Sequence, residues 1–355
     1  MREDILVVGG YGAVGKHVVL ELIEAFPDKI IIAGRNLRKA AAFVEQTGYP
    51  LRTMQLDIYA SSNFDELLKT VHTVIICLGA KNLYFIETCI ENGVHYIDIS
   101  ASNEIPNQVK LLESKAIQNE VTCILGVGIA PGLSTLLATK VVEKMEQVTN
   151  LEFALMLGLG EQHGLDGVKW FLENLKTDFE VNGVITRPFI NKFQANFLKP
   201  LRTRKAYSFN LADAQIIAGT LNIPDVKTYY CYDSKFMTGL VHILKKCGVL
   251  NILKSAKIFN LFLKIFGSDM MSKNGKLSDI IGLHIKAVGL SEGKSATYYG
   301  NITGNNSSNL TAKVASYTAL QLHQNSYPKG VYYLNEVMNL DEIATVLELR
   351  VEILP

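Results

Sequence analysis

The sequence predicts a doubly wound α/β domain built on a parallel sheet, followed by a second domain of α+β type. Three observations carry this. Short β-branched runs alternate with amphipathic stretches from residue 4 to about residue 145, the spacing of strands joined by crossover helices. Several runs are apolar throughout, as in Val74-Ile75-Ile76-Cys77-Leu78, which suits strands covered by helices on both faces. After about residue 148 the rhythm changes. With 355 residues, 48% of them hydrophobic and 19% charged, the chain has the length for two domains and the apolar content for a large core.

In the first domain, expected over residues 1–148, the strand candidates are Asp4–Val8, Lys29–Ala33, Leu51–Leu56, Thr73–Leu78, His95–Ile99 and Val121–Leu125. The helix candidates between them are Ala13–Ala25, Leu37–Thr47, Ser62–Lys69, Leu83–Asn92 and Pro106–Asn119. In the second domain, expected over 149–307 and assigned to substrate binding and dimerisation, Leu151–Leu159 reads as a long strand. Further strand-like pieces are Ala206–Asn210, Lys227–Tyr232, Ile280–Leu290 and Lys294–Ile302. The last two flank Ser291-Glu292-Gly293 and read as an antiparallel hairpin. Trp170 is expected in a helical core or a domain interface. Leu310–His323 reads as a helix capped by Asn309 or Ser308, and the segment 308–355 is expected to return to the first domain.

Composition removes several classes. Lys plus Arg is 35 against 34 for Asp plus Glu, a net charge of +1, without the basic surplus of a nucleic-acid binder. The low charge and high apolar content argue against long disordered segments. Five cysteines are scattered singly without a Cys-x-x-Cys pair, which disfavours a disulfide framework or structural zinc and suits a reducing compartment. Neither a signal-peptide pattern nor an apolar run of about 18–20 residues is present. A soluble, cytoplasmic protein is expected.

The chemistry begins at Gly10-Tyr11-Gly12-Ala13-Val14-Gly15, between the first strand and the first helix. The first glycine permits a tight turn, the second lets a pyrophosphate approach the backbone, and the third lets helix and strand pack closely. Free backbone N–H groups and the helix dipole then hold the diphosphate. The strand–turn–helix context gives the pattern its weight; the plain alternative is a glycine turn that only packs. At the end of the second strand a site for NAD would place Asp or Glu, whereas this chain has Ala33-Gly34-Arg35-Asn36. Gly34 leaves room for a 2′-phosphate and Arg35 offers it a planar charged fork, so NADP is expected. The competing reading of Arg35 is a surface charge.

Ligands of open parallel sheets lie at the carboxyl ends of the strands. Those ends add Asp57 on the adenine side and Leu78, Gly79 and Ala80, the last two small enough to pass the nicotinamide half. Asp98 and Gly128 end the next two strands. Asp98 either orients a ligand or caps the following helix.

These residues resemble the saccharopine dehydrogenase family, in the branch with an N-terminal NADP-binding Rossmann domain. The resemblance rests on Val7-Val8-Gly9-Gly10-Tyr11-Gly12-Ala13-Val14-Gly15, Ala33-Gly34-Arg35-Asn36, Leu56-Asp57, Asn92-Gly93-Val94-His95-Tyr96-Ile97-Asp98 and Gly128-Ile129-Ala130-Pro131-Gly132-Leu133-Ser134. It is specific over residues 5–138 and general beyond. A plain short-chain dehydrogenase carries no such Gly-x-x-Pro-Gly-Leu segment, and this chain has no Tyr-x-x-x-Lys pair after the fifth strand region. The resemblance implies that Gly10, Gly12, Gly15 and Arg35 bind NADP and that Gly128 to Gly132 lie near the nicotinamide. It implies reduction of an imine to a secondary amine, or the reverse, with the cofactor supplying the hydride. One departure matters: the loop after the fourth strand often reads Gly-Pro-aromatic in the family and reads Gly79-Ala80-Lys81-Asn82 here. Saccharopine itself is therefore not implied as the substrate.

No triad or metal-ligand cluster is evident. Catalytic candidates are Asp98, His163 in the Gly160–Gly164 loop, Arg187 and Arg204, with Arg202 beside them. The arginines suit a substrate carboxylate, and each also reads as solvated surface charge. The helix beginning near Pro131 adds an N-terminus suited to an anion. Residues 236–266 are densely apolar, with Lys254, Lys257, Asn260 and Lys264 on one side of Leu250–Phe266. Such a helix can touch a membrane or an acyl ligand; the alternative is a helix covering the sheet or a subunit interface. The leading expectation is an NADPH-dependent reductase of a C=N bond in a small amino-acid-like substrate, working as a homodimer. The others are a reductase of a lipid-linked or apolar carbonyl or alkene, and an NADP-sensing regulator without turnover.

Overall fold

The computed structural model describes residues 2–60, 64–79, 83–102, 104–160, 165–255 and 278–355. The chain divides into two compact units, Met1–Leu133 with Ser308–Met338, and Ser134–Ser307 with Asn339–Pro355.

The first unit is built on a seven-stranded sheet. Its strands are β1 (Asp4–Val8), β2 (Ile30–Gly34), β3 (Arg52–Gln55), β4 (Val71–Ile76), β5 (His95–Asp98), β6 (Thr122–Leu125) and Gly330–Tyr333. The spatial order is Gly330–Tyr333, β6, β5, β4, β1, β2, β3, and every pairing is parallel. β1 and β2 are buried along their whole length, as their apolar runs require when helices cover both faces. The strand order reverses at the β1–β4 pair, where Val8 lies between Ala33 and Ile76. Helix Leu37–Thr47 follows β2; its Asn36 cap accepts from the Lys39 amide, and Gly48 ends it at φ 71°, the left-handed conformation that glycine takes freely.

Three details differ from the sequence expectation. The seventh strand, Gly330–Tyr333, joins β6 in parallel, and Lys110 Nζ holds its edge by donating to the Val331 carbonyl at 2.8 Å and to Glu336 at 3.0 Å. The helix expected over Pro106–Asn119 is two helices, Glu104–Lys110 and Glu113–Gln118. Helix Ser307–Gln324 takes Ser308 and Asn309 into its first turn rather than leaving either as its cap.

The second unit carries a mixed seven-stranded sheet ordered Lys192–Asn196, Thr203–Ser208, Asp225–Tyr232, Gln147–Leu157, Ile280–Ser291, Lys294–Asn305 and Arg350–Leu354. Only Gln147–Leu157 and Asp225–Tyr232 pair in parallel; the other neighbours are antiparallel. The hairpin expected around Ser291-Glu292-Gly293 is present with Ser291 opposite Lys294. Glu292 and Gly293 both have positive φ, 51° and 68°, as a two-residue hairpin turn of this hand requires. Ile281, Leu283, Ile285 and Ala287 are buried at alternate positions of one strand. On the next strand a β-carbon at Gly300 would fall 2.5 Å from the Val141 side chain and 3.1 Å from Leu137, so helix Leu133–Val142 lies directly on this sheet. Trp170 packs edge-on against Phe209 at 5.6 Å.

These pairings move both expected boundaries. The main segment of the first unit ends at Leu133 instead of 148, because the helix and strand that follow build the second sheet. Of the segment 308–355, only Ser308–Met338 joins the first unit. Arg350–Leu354 pairs with Lys294–Asn305 in the second.

Candidate cofactor and active site

The glycine turn sits where the order of the first sheet reverses, the place where open parallel sheets bind their ligands. Gly9 has φ 79°, and a β-carbon there would lie 3.2 Å from the Cys77 carbonyl oxygen, so the ends of β1 and β4 press together. A β-carbon on Gly15 would fall 2.2 Å from the Gly9 oxygen: helix Gly15–Leu22 lies hard against the turn. Gly12 donates to that same oxygen at 2.8 Å, and its own β-carbon would come within 3.0 Å of it. Gly10 is confined by the Val7 oxygen at 3.0 Å. The first amides of a helix have no intrahelical acceptor. Ala13 and the N-cap residue Val14 lead into those amides, and the helix dipole reinforces them. The turn fits the diphosphate of a dinucleotide.

The end of β2 differs from the sequence reading. The space expected beside Gly34 is filled by the Tyr11 ring: a β-carbon at Gly34 would lie 2.5 Å from the Tyr11 hydroxyl oxygen. That hydroxyl accepts from the Asn36 backbone N–H at 2.9 Å, and the Asn36 side chain is engaged in capping the next helix. Beyond Gly34, Arg35, Arg38 and Lys39 are all exposed. Arg38 and Lys39 add two cations to the one the sequence pattern marks, and their signal is their closeness to Arg35 in the chain.

Asp57 accepts from the Tyr59 backbone N–H at 3.0 Å, and the Tyr59 hydroxyl donates to the Gly79 carbonyl at 2.8 Å. The loop after β3 thus braces the loop after β4. Leu78 is half-buried beside Gly9, and a β-carbon on Gly79 would meet nothing within 4 Å. Ala80 lies outside the described residues, as does His163.

Asp98 is fully buried. Its carboxylate accepts from the Ser100 amide and the Ser100 hydroxyl, both at 2.8 Å. Burial raises its pKa to about 6, and those two bonds oppose the rise. The group is bound into its own turn and does not cap the next helix. Gly128–Gly132 forms a tight turn. A β-carbon on Gly132, at φ 131°, would fall 2.0 Å from the Gly128 oxygen, and one on Gly128 would meet Thr311 at 3.2 Å. The Leu133 amide closes the turn on Gly128 O at 2.9 Å.

In the second unit Arg187 is exposed and Arg204 half-buried; Arg204 donates to the Thr203 carbonyl at 3.3 Å. Sequence reasoning missed a buried pair there. Ser134, the last residue of the Gly128–Ser134 motif, donates to Asp213, and both side chains are inaccessible. Burial raises the Asp213 pKa to about 7, which the Ser134 bond opposes. Asp213 opens helix Asp213–Leu221 and Ser134 belongs to helix Leu133–Val142, so no local pattern in the sequence marks the pair. Among the described residues, no group of three or more His, Cys, Asp or Glu side chains can hold a metal ion.

Residues 5–124 match the family model described as the saccharopine dehydrogenase NADP binding domain. Within the first unit, residues 5–124 form an NADP-binding domain of the saccharopine dehydrogenase type. Among solved structures, saccharopine dehydrogenase (L-Glu forming) from Saccharomyces cerevisiae is 14% identical, over 99% of this chain and 100% of its own, with a TM-score of 0.71. The two share a fold. The DAP dehydrogenase of C. glutamicum, in complex with DAP, is 12% identical over 97% of this chain and 99% of its own, with a TM-score of 0.46. No curated protein matches the sequence. The Gly10–Gly15 turn, Arg35 and Asp57 all fall inside the matched domain, whereas Gly128–Ser134 lies just beyond it.

Proposed function

We propose that this saccharopine dehydrogenase-like chain uses NADPH to reduce a C=N bond in an amino-acid-like substrate, or runs the reverse reaction. The observation that supports it most is the glycine cradle at the reversal of the sheet, with Arg35 exposed at the adjoining strand end. In this reading the turn Gly10–Gly15 holds the diphosphate, Arg35 pairs with the 2′-phosphate, and Asn36 and Tyr11 shape the adenine side. Leu78 and Gly79 leave the nicotinamide half unobstructed, and the Gly128–Gly132 turn fixes the backbone at the end of β6. The bound cofactor supplies the hydride, and the substrate nitrogen takes up a proton as its bond to carbon is reduced. Arg187 and Arg204 are the carboxylate clamps of this reading. The active form is a cytoplasmic homodimer; light scattering tests the dimer.

The test is consumption of NADPH, followed by the loss of reduced-nicotinamide absorbance, against mixtures of amines with keto acids or aldehydes. Substrate-dependent consumption supports the proposal. Tight binding of NADPH without consumption in any mixture favours the sensing regulator.

A second reading, a lipid-linked or apolar substrate, has its own observation. On helix Lys235–Lys246, Phe236 is 75% and Ile243 57% exposed, spaced seven residues apart on one face of a helix with lysines at both ends. The sequence places a longer basic helix over Leu250–Phe266. There Val249–Lys254 is a 3₁₀ helix, and residues 256–277 lie outside the described residues. No described helix is long and apolar enough to cross a membrane. Co-sedimentation with anionic liposomes, lost in Phe236→Ser, would support this reading.

A further inference from the structure

The sheet of the second unit holds a buried histidine with half of its hydrogen bonding unused. His284 lies on strand Ile280–Ser291 opposite Asn301 and is 1% exposed. Its Nδ1 is 3.0 Å from Asn301 Oδ1. An amide oxygen only accepts, so Nδ1 carries the proton and Nε2 keeps its lone pair. Nε2 is buried and has no hydrogen-bond partner, a condition that calls for an explanation in a native fold. Burial lowers the pKa of the ring to about 4, which keeps it neutral and Nε2 an acceptor at physiological pH. The Phe193 and Tyr299 rings lie near-parallel to it at 5.9 and 6.0 Å, fixing its orientation.

His284 and Asn301 line a cavity of about 450 Å³, within the size range of small-molecule sites. Phe197 and Tyr299 supply apolar wall, and Lys199, Arg350 and Glu352 supply charge. Among the described residues none of these three charges has an ion-pair partner. Paired strand positions share a face, and Glu352 faces Asn301 across the ladder, so its carboxylate belongs to the His284 side of the sheet.

We propose that this cavity is a binding site for a free α-amino acid with an apolar side chain. The ligand carboxylate pairs with Arg350 and Lys199. Its ammonium group donates to Glu352 and to His284 Nε2, and its side chain lies against Phe197 and Tyr299. Two cations, one carboxylate and one neutral acceptor around an apolar wall match a zwitterion better than an anion or a cation alone. The cavity lies wholly within the second unit, and the proposal does not rest on the cofactor reading.

The test uses L-phenylalanine, 3-phenylpropionate and phenethylamine as probes, titrated by calorimetry into the full chain without cofactor. L-phenylalanine is expected to bind more tightly than either single-charge probe. Arg350→Ala should weaken L-phenylalanine and 3-phenylpropionate about 10-fold or more while sparing phenethylamine, the scale of one charge-assisted contact. Glu352→Gln should weaken L-phenylalanine and phenethylamine and spare 3-phenylpropionate. His284→Phe keeps the aromatic packing and removes the acceptor; the two strand variants decide the matter should that buried variant fail to fold. Failure of all three probes to bind the wild type up to about 10 mM would overturn the proposal, as would affinities that neither Arg350→Ala nor Glu352→Gln changes. NADPH affinity should be the same in all variants, which separates this site from the first unit.

Discussion

Gly15→Ala tests the cradle by steric means. The added β-carbon would lie 2.2 Å from the Gly9 carbonyl oxygen and 2.8 Å from the Gly10 Cα. Both obstacles are backbone, so no side chain can swing away; the helix Gly15–Leu22 must retreat from the turn by roughly 1 Å, the kind of overpacking that costs about 1–3 kcal/mol. At about 2–4 °C per kcal/mol for a unit of this size, the melting temperature should fall by several degrees. The same retreat withdraws the first helical amides from a bound diphosphate, and NADPH affinity should fall on the order of 10–100-fold. Thermal melting and a fluorescence titration measure the two effects. Gly79→Ala is the control for stability, since its β-carbon meets nothing within 4 Å, and should change stability by less than about 0.5 kcal/mol. Wild-type melting and wild-type NADPH affinity in Gly15→Ala would refute the geometry.

Three further outcomes follow from the packing and charges. Asp213 keeps its proton in the folded chain up to a pKa of about 7 and loses it near 3.8 when unfolded, so the folded state binds more protons between those values and stability falls as pH rises through them. Asp213→Asn removes this penalty at up to about 1.4 kcal/mol per pH unit; urea melts at pH 4 and pH 8 should show the variant gaining on wild type, and parallel profiles would contradict the assignment. Gly219→Ala, inside helix Asp213–Leu221 with open space around its β-carbon, should stabilise the second unit by about 0.4–1 kcal/mol in the same melts. Glu66→Ala breaks an exposed i,i+3 pair with Lys69 and should cost less than about 0.5 kcal/mol; a larger loss in urea titration would be unexpected.

How much of this was legible in the sequence depended on whether the deciding contact was local. Six strands of the first sheet lie within two residues of their expected places; β1, β2 and β4 are rich in β-branched residues, and the shorter β3, β5 and β6 are placed by the regular spacing between helices. Gly330–Tyr333 carries no local strand signal: it is four residues long, contains two tyrosines, and its parallel partner β6 lies some 200 residues earlier in the chain. Leu133–Ala138 is buried residue after residue, so no solvent-facing stripe tells which sheet the helix serves, and the sequence leaves the domain boundary unmarked. The glycine turn was legible because each of its glycines answers a contact within the strand–turn–helix unit. Tyr11 over Gly34 is not legible in this way, since an unrestricted position of the motif fills the space beside a small residue on another strand. His284 and Asp213 follow the same rule. The residues that give each its meaning, Asn301 and Ser134, come from other elements, and only the folded chain brings them together.

In the proposed function the first unit binds NADPH through the Gly10–Gly15 turn and Arg35. A fluorescence titration of NADPH and NADH against wild type and Arg35→Ala decides this. Wild type should prefer NADPH, and Arg35→Ala should lose about 10–100-fold in NADPH affinity, the worth of one charge-assisted bond of about 1.5–3 kcal/mol, while NADH affinity stays nearly constant. Equal affinity for both cofactors, unchanged by the substitution, would contradict the role given to Arg35, and failure to bind either would contradict the account as a whole.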